Sequence, residues 1–394
     1  MKKKLVLIFT ILSLFAITLI GINSYKNGNK SAVTINVYNW GEYIADGTDG
    51  SLNVNEEFTK RTGIRVNYST FQSNESLFAK IQSGGTKYDV IIPSDYMISK
   101  MIEHDMLKKL DFKQVPNFEH IDKTFINPVY DKTNEYSVPY TWGVVGIFYN
   151  KTMVSEPESS INWDILWDPK YAGKILMFDN PRDAFAISQF RLGIPLNSEN
   201  KKDWFKVSED LKQQKPLIQA YVMDQIFDKM SNGEAALAPY YSGDAALLTQ
   251  RNANIGFVIP KEGTNKFVDA MCIPQNAEHP NEALAYINFM CDPEIAAENI
   301  KYIGYSTPST EVKNRLDLSI SKDKTRYPDE EILEKSQTFT LLPDEITLLI
   351  DKLWVNVKTG DAGNSIGLIL ILLGFIFVYI IVILAKKKKS ESLK

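Results

Sequence analysis

Residues 34–70 read TINVYNWGEYIADGTDGSLNVNEEFTKRTGIRVNYST, and this stretch decides the fold class. Residues 34–38 and 65–70 are short runs of β-branched and aromatic side chains bounded by turn formers, which predicts two strands. Between them, 55–62 carries acids first and bases last and stops at Gly63, the pattern of a capped helix. Strand, helix, strand implies a parallel pair joined by a crossover, and hence an α/β protein.

The alternation continues outward. Ser73 or Asn74 caps a helix that should end at Gly84-Gly85. Residues 88–92 form an apolar strand closed by Pro93, and a helix is expected over 97–105. Residues 136–142 lead straight into 144–149, read as the first passage from one lobe into a second. Further strands are expected at 175–178, 235–238 and 255–259, with helices at 203–213 and 225–232. After Lys261-Glu262-Gly263 the chain is read as passing back, because 267–273 is another buried strand. Helices at 281–290 and 343–358 complete the body. The expected organisation is lobe 1 over 31–141 and 263–308, and lobe 2 over 142–262 and 309–360. A hinge and a central cleft would lie between them, and ligand sites favour such junctions.

Both ends are set apart. Met1-Lys2-Lys3-Lys4 precedes an apolar run from Leu5 to Ile22, so 1–30 reads as an export signal or a retained anchor. Residues 366–385 form an uncharged apolar run of 20, long enough as a helix to span the ~30 Å hydrocarbon layer. Lys386 to Lys389 follow at once, a positive-inside signal that makes 386–394 a cytoplasmic tail and places the body outside. Residues 31–365 hold 34 Lys and Arg against 47 Asp and Glu, a net of −13. An acidic body favours cationic ligands and disfavours nucleic acid. The two cysteines, Cys272 and Cys291, sit among apolar residues and read as buried thiols rather than a disulfide. His104, His120 and His279 have no metal-ligand spacing, and no cofactor is expected.

Enzyme signatures are missing: there is no nucleophile elbow, no phosphate-binding loop and no dinucleotide fingerprint. What stands out is aromatics beside acids just after the expected strands. Trp40 and Tyr43 follow the first strand, and Ser94 and Tyr96 the third. Asn180 and Asp183 follow 175–178. Tyr240, Tyr241 and Asp244 follow 235–238. Phe267 and Asp269 lie at the passage back, and Tyr305 stands in Gly304-Tyr305-Ser306. Strand C-terminal ends are where open α/β sheets take ligands. Carboxylates and aromatic faces together suit a linear polyamine, whose ammoniums need anions and whose methylenes need flat apolar walls. With 45 aromatics in the chain, most must serve the core, so composition alone singles out none of them.

Seven motifs carry a resemblance. They are Tyr38-Asn39-Trp40-Gly41-Glu42-Tyr43; Ser69-Thr70 with Ser73-Asn74-Glu75; Tyr88-Asp89 through Pro93-Ser94; Ser137-Val138-Pro139-Tyr140-Thr141-Trp142-Gly143; Asn232-Gly233-Glu234-Ala235-Ala236; Tyr241-Ser242-Gly243-Asp244-Ala245; and Ile303-Gly304-Tyr305-Ser306-Thr307-Pro308. In this order, over about 34–335, the chain resembles the spermidine/putrescine-binding proteins of polyamine ABC importers. The resemblance implies a two-lobe type II periplasmic-binding-protein fold and partnership with a permease and an ATPase. It implies an aromatic box of Trp40, Tyr43, Tyr241, Phe267 and Tyr305. Ser94 and Tyr96 would be polar contacts, Asp269 would take one terminal ammonium, and Asp183 a second amine. Gly41 stands where relatives often have a hydroxyl, and Asn180 where they often have an acid. Tyr241 and Phe267 stand where tryptophan is common, and Asp244 adds an acid found in some relatives. These departures leave ligand length open. Two other readings stay open as well: a ferric-ion binder using Tyr240-Tyr241, and an anchored polyamine sensor without transport.

Overall fold

The computed structural model describes residues 33–359. Among the described residues no helix is long and apolar enough to cross a membrane. The apolar runs at 5–22 and 366–385 lie outside the described residues. Nine strands are present among them: β1 Thr34–Trp40, β2 Arg65–Phe71, β3 Val90–Ile91, β4 Ser137–Asn150, β5 Ile175–Phe178, β6 Ile218–Val222, β7 Leu237–Tyr241, β8 Ile255–Val258 and β9 Lys266–Cys272.

The chain divides into two compact units, one of residues up to Trp142 plus Val268–Arg326, the other of Gly143–Phe267 plus residues from Tyr327. In the first unit β1 pairs in parallel with β2 on one side and β3 on the other, and β3 pairs antiparallel with β9. The β1–β2 connection is the expected crossover helix. It spans Val54–Thr62, is capped by Asn53 and ends at Gly63 with φ 76. The next helix, Asn74–Ser83, starts at Ser73 with a full capping box and ends at Gly84. In the second unit β4 pairs antiparallel with β7 and β8, and β5 pairs in parallel with β6 and β7.

Several boundaries differ from expectation for identifiable reasons. The strand expected over 88–92 is shorter, Val90–Ile91, with the Asp89 and Ile92 amides still donating to the Asn36 and Tyr38 carbonyls of β1, while the buried Asp89 carboxylate accepts the Asn36, Glu278 and His279 amides. The runs expected at 136–142 and 144–149 are one unbroken strand, β4 Ser137–Asn150, that runs through the division. The passage back falls at Phe267 rather than near 263, because Thr264 and Asn265 are held within the second unit. The Val145 amide donates to the Asn265 carbonyl at 3.0 Å, and the Gln337 amide to the Thr264 carbonyl at 2.9 Å. The last passage falls at Arg326 rather than near 309. There the Thr310 amide and hydroxyl both donate to Asp122, and the Ser306 hydroxyl donates to the Arg326 carbonyl, which keeps 309–326 with the first unit. The C-terminal helix Asp344–Thr359 belongs to the second unit, where it buries Ile346, Ile350, Leu353 and Val357 and packs on the helix Lys201–Gln214. Cys272 and Cys291 are both buried free thiols.

Candidate functional site

In the first unit the site is built on the C-terminal ends of β1 and β3 and on β9. Asn39, fully buried, accepts the Trp40 amide on Oδ1 at 2.8 Å and donates from Nδ2 to the Tyr43 carbonyl at 3.4 Å. The Tyr140 hydroxyl donates to that same carbonyl at 2.7 Å, and Asn299 Nδ2 donates in turn to Tyr140. The tight turn after β1, with Glu42 at φ 50, is thereby clamped. Its product is a fixed Tyr43, 3% exposed, whose ring meets Tyr305 edge-on at 4.5 Å. Such pairs contribute ~0.5–1.5 kcal/mol beyond area burial.

Asp269 lies on β9, bridged to Ser94 on the chain beyond β3, and is 4% exposed. Ser94 Oγ donates to Oδ1 at 2.6 Å and Tyr43 Oη donates to Oδ2 at 2.6 Å. Burial pushes the carboxyl up to about 6, and the two hydroxyl donors hold it from rising further. Asp269 forms no ion pair among the described residues. It is a buried carboxylate dressed by neutral donors, which is the state an ammonium guest would complete.

Tyr96 differs from expectation in detail. Its hydroxyl donates to Glu75 Oε1 at 2.9 Å, so an acid reading of this corner must include Glu75. Trp40 ends β1 and leans on Phe71 at 4.5 Å. Its Nε1 is buried without an acceptor.

The second unit carries the other expected residues. Asn180 and Asp183 are not loop positions, since Pro181 starts a helix, Pro181–Leu192, with Asn180 as its cap. Asn-Pro followed by an acid in the first turn is a legible helix start. Asn180 Oδ1 accepts the Arg182 amide, and its Nδ2 donates to Asp183 Oδ2 at 2.8 Å. Tyr241 Oη donates to the same oxygen at 2.6 Å. Asp183 is 6% exposed at a helix N-terminus, where the backbone dipoles favour negative charge. Tyr240 and Tyr241 are the last residues of β7 rather than loop residues, because that strand begins at Leu237, two residues later than 235. Tyr241 meets the Phe267 ring edge-on at 5.3 Å. Tyr240 is 3% exposed and its ring stacks on Phe178 at 5.5 Å, which separates the roles of the two adjacent tyrosines. Asp244, 5% exposed, closes the short turn Ser242–Asp244 after β7. Among the described residues no group of three or more His, Cys, Asp and Glu could hold a metal ion.

Tyr43, Ser94, Asp269 and Tyr305 thus come together in one unit, and Asp183, Asn180, Tyr241 and Phe267 in the other. The sequence reading missed their supports, namely Asn39, Asn74, Glu75, Tyr140, Thr141 and Asn299. Five of the six, all but Asn299, stand inside the quoted motifs, and that membership was the available signal.

The profile of the family described as bacterial extracellular solute-binding protein matches residues 53–329. The spermidine/putrescine-binding periplasmic protein of Escherichia coli is 35% identical over 305 residues, which cover 77% of this chain and 86% of that protein. The putrescine-binding periplasmic protein SpuD of Pseudomonas aeruginosa is 30% identical, with 88% of this chain and 98% of that protein covered. Among solved structures, the spermidine/putrescine ABC transporter substrate-binding protein PotD of Streptococcus pneumoniae superposes with a TM-score of 0.70 at 36% identity, covering 83% of this chain and 99% of that one. With its two α/β units and the carboxylates they bury, the chain belongs to the bacterial extracellular solute-binding protein family, among the spermidine/putrescine-binding proteins.

Proposed function

We propose that the chain captures polyamines outside the cytoplasm and hands them to the permease and ATPase of an ABC importer, acting as a binder and not as an enzyme. The observation that carries this reading is Asp269: a carboxylate 4% exposed, held by two hydroxyls and without an ion pair among the described residues. An unpaired buried charge is costly, and a ligand ammonium supplies the missing partner. Asp183, set against Tyr241, offers a second carboxylate for another amine. Tyr43, which holds Asp269, and Tyr305 against its ring would give the methylenes beside that ammonium flat apolar walls. Two relatives whose names state spermidine or putrescine binding, at 35% and 30% identity, support the same ligand class.

The test is calorimetry of the body, residues 31–360, with putrescine, spermidine, amino acids and ferric citrate. One-to-one binding of a polyamine and none of the others is expected. Tight ferric binding with no polyamine heat would sink the reading. Asp244 and Asp183 both stand in the second unit, so putrescine is expected to bind no worse than about tenfold more weakly than spermidine, a gap of ~1.4 kcal/mol.

The finer claim is attachment. Residues 366–385 would anchor the body, with 386–394 cytoplasmic, in support of which stand the apolar run, the following lysines and the acidic body. Protease shaving of whole cells should remove the body and spare a C-terminal fragment. A C-terminal tag reachable from outside would reject the anchor.

A further inference from the structure

We propose that Asn74 and Thr141 are positioning residues that aim the Ser94 and Tyr43 protons at Asp269. The inference deepens the reading of Asp269 as the ammonium anchor and rests on it.

A hydroxyl has one proton. Ser94 gives its proton to Asp269 Oδ1, and Tyr43 gives its own to Oδ2, each at 2.6 Å. Whatever else meets those two hydroxyl oxygens must therefore donate. Asn74 Nδ2 lies 3.1 Å from Ser94 Oγ, and Thr141 Oγ1 contacts Tyr43 Oη. The Asn74 amide has only one sensible orientation, since its Oδ1 accepts the Ser94 backbone N–H at 3.0 Å. Asn74 is 2% exposed and Thr141 0%, so neither donor has water as a substitute partner. Two relays result: Asn74 to Ser94 to Oδ1, and Thr141 to Tyr43 to Oδ2. Each leaves its hydroxyl no choice but to point at the carboxylate. An aimed donor lowers the cost of ionising a buried acid, and an acid already ionised meets an ammonium without first losing a proton.

The phenols and the thiol around Asp269 do not compete between pH 5 and 8. Burial holds the Tyr43, Tyr130 and Tyr140 phenols above their usual range, and the Cys272 thiol likewise. The Asp95 carboxylate accepts the Val268 and Tyr96 amides.

Two titrations test the relays. The first follows the Asp269 carboxyl carbon by 13C NMR in the ligand-free body, for the parent, Thr141→Val, Thr141→Ser and Asn74→Ala. The parent midpoint should lie near 6. Thr141→Val and Asn74→Ala should raise it by about half a unit or more, a threefold change in the proton-binding constant, and Thr141→Ser should restore it. The second titration follows spermidine affinity from pH 5 to 8. The variants should weaken binding most below pH 6, by close to threefold at pH 5, and least near pH 8. A merely structural role would weaken it equally at every pH. An unmoved carboxyl midpoint in folded Thr141→Val and Asn74→Ala overturns the proposal. If either variant fails to fold, Thr141→Ala and Asn74→Val repeat the comparison with other side chains that lack a donor. The NMR arm needs no ligand, so absence of spermidine binding by the parent would reject the polyamine reading while leaving the relays decided by the carboxyl midpoint.

Discussion

At the scale of single residues, the buried Asp269 carboxylate costs the folded protein stability. Its carboxyl titrates near 6 in the folded ligand-free protein, against an unfolded value of about 3.8. A raised acid binds protons more tightly when folded. The cost of its ionised form is therefore absent below pH 3.8, grows as pH rises toward 6, and is complete above it. A shift of that size corresponds to about 3 kcal/mol of lost stability at neutral pH. Asp269→Asn removes the charge, though its NH2 then faces a hydroxyl that was itself a donor, so only part is recovered. The ligand-free variant is expected to unfold at higher urea, gaining ~1–3 kcal/mol at pH 7. Polyamine binding should fall by ~2–5 kcal/mol, roughly 30- to 5,000-fold, because an ammonium then lacks its partner. Urea unfolding and calorimetry on the same sample check both halves. A variant that binds normally removes Asp269 from the site, and one that is less stable at pH 7 refutes the cost of the buried charge.

At the scale of elements, β4 and β8 interlock through glycines that admit rings from the facing strand. A Cβ on Gly146 would come within 2.3 Å of Phe257 Cζ and 2.6 Å of the Val258 carbonyl oxygen. A Cβ on Gly256 would come within 2.3 Å of Tyr149 Cζ, opposite which it sits in register. The two clashes differ in kind. Tyr149 meets Gly256 with the far end of its ring and is able to swing, at the cost of its 2.5 Å hydrogen bond to Glu158. Gly146 meets backbone as well, which cannot swing without opening the ladder. Gly146→Ala is therefore expected to destabilise the second unit by ~2–4 kcal/mol and Gly256→Ala by ~1–2 kcal/mol. Chemical denaturation orders them, and the reverse order would contradict the argument.

Elements are also the scale at which sequence was most and least informative. Helices closed by Gly63 and Gly84 were placed within one residue, because capping is local chemistry. The alternating strands β1 and β2 were equally plain. Pro181–Leu192 was missed although Asn180-Pro181 announces it, because the helix is buried nearly all round and has no polar stripe to show a period. The return points near Phe267 and Arg326 depend on hydrogen bonds between residues more than 70 positions apart, such as Val145 to Asn265 and Thr310 to Asp122, and no local pattern encodes those. Among candidate site residues, Tyr43, Ser94 and Asp269 were singled out by motif and chemistry, and the fold brings them into hydrogen-bond contact. Their relays were not, because Asn74 and Thr141 look like an ordinary cap neighbour and an ordinary strand threonine until the fold sets them against Ser94 and Tyr43.

At the scale of the whole molecule, the pH dependence of stability mixes opposing contributions, and the ligand separates them. Surface carboxylates such as Glu156, whose lysine and tyrosine partners hold it down to about 2, favour folding at neutral pH and lose that contribution only as the medium becomes strongly acidic. Asp269 acts with the opposite sign and in a higher window, from 3.8 up to about 6. Absolute melting temperatures sum both kinds of group and isolate neither. The rise in melting temperature on adding polyamine isolates the carboxylates that meet the ligand, because the surface carboxylates are the same with and without ligand and cancel in the difference. Stabilisation by ligand follows RT ln(1 + [L]/Kd), so it tracks affinity directly. Above pH 7 Asp269 is ionised in the free protein and the ligand-induced rise should be at its maximum and flat. Below pH 6 the proton competes with the ammonium, affinity falls about tenfold per unit, and each unit should remove about 1.4 kcal/mol of ligand stabilisation until the rise vanishes. Differential scanning calorimetry at a fixed excess of spermidine, in steps from pH 8 to 4.5, gives the curve. Asp269→Asn supplies the control, with a smaller rise that no longer bends near 6. If the parent's curve bends near 4 instead, the ammonium is held by a carboxylate of ordinary acidity, and the anchor must be sought among the acids of the second unit rather than at Asp269.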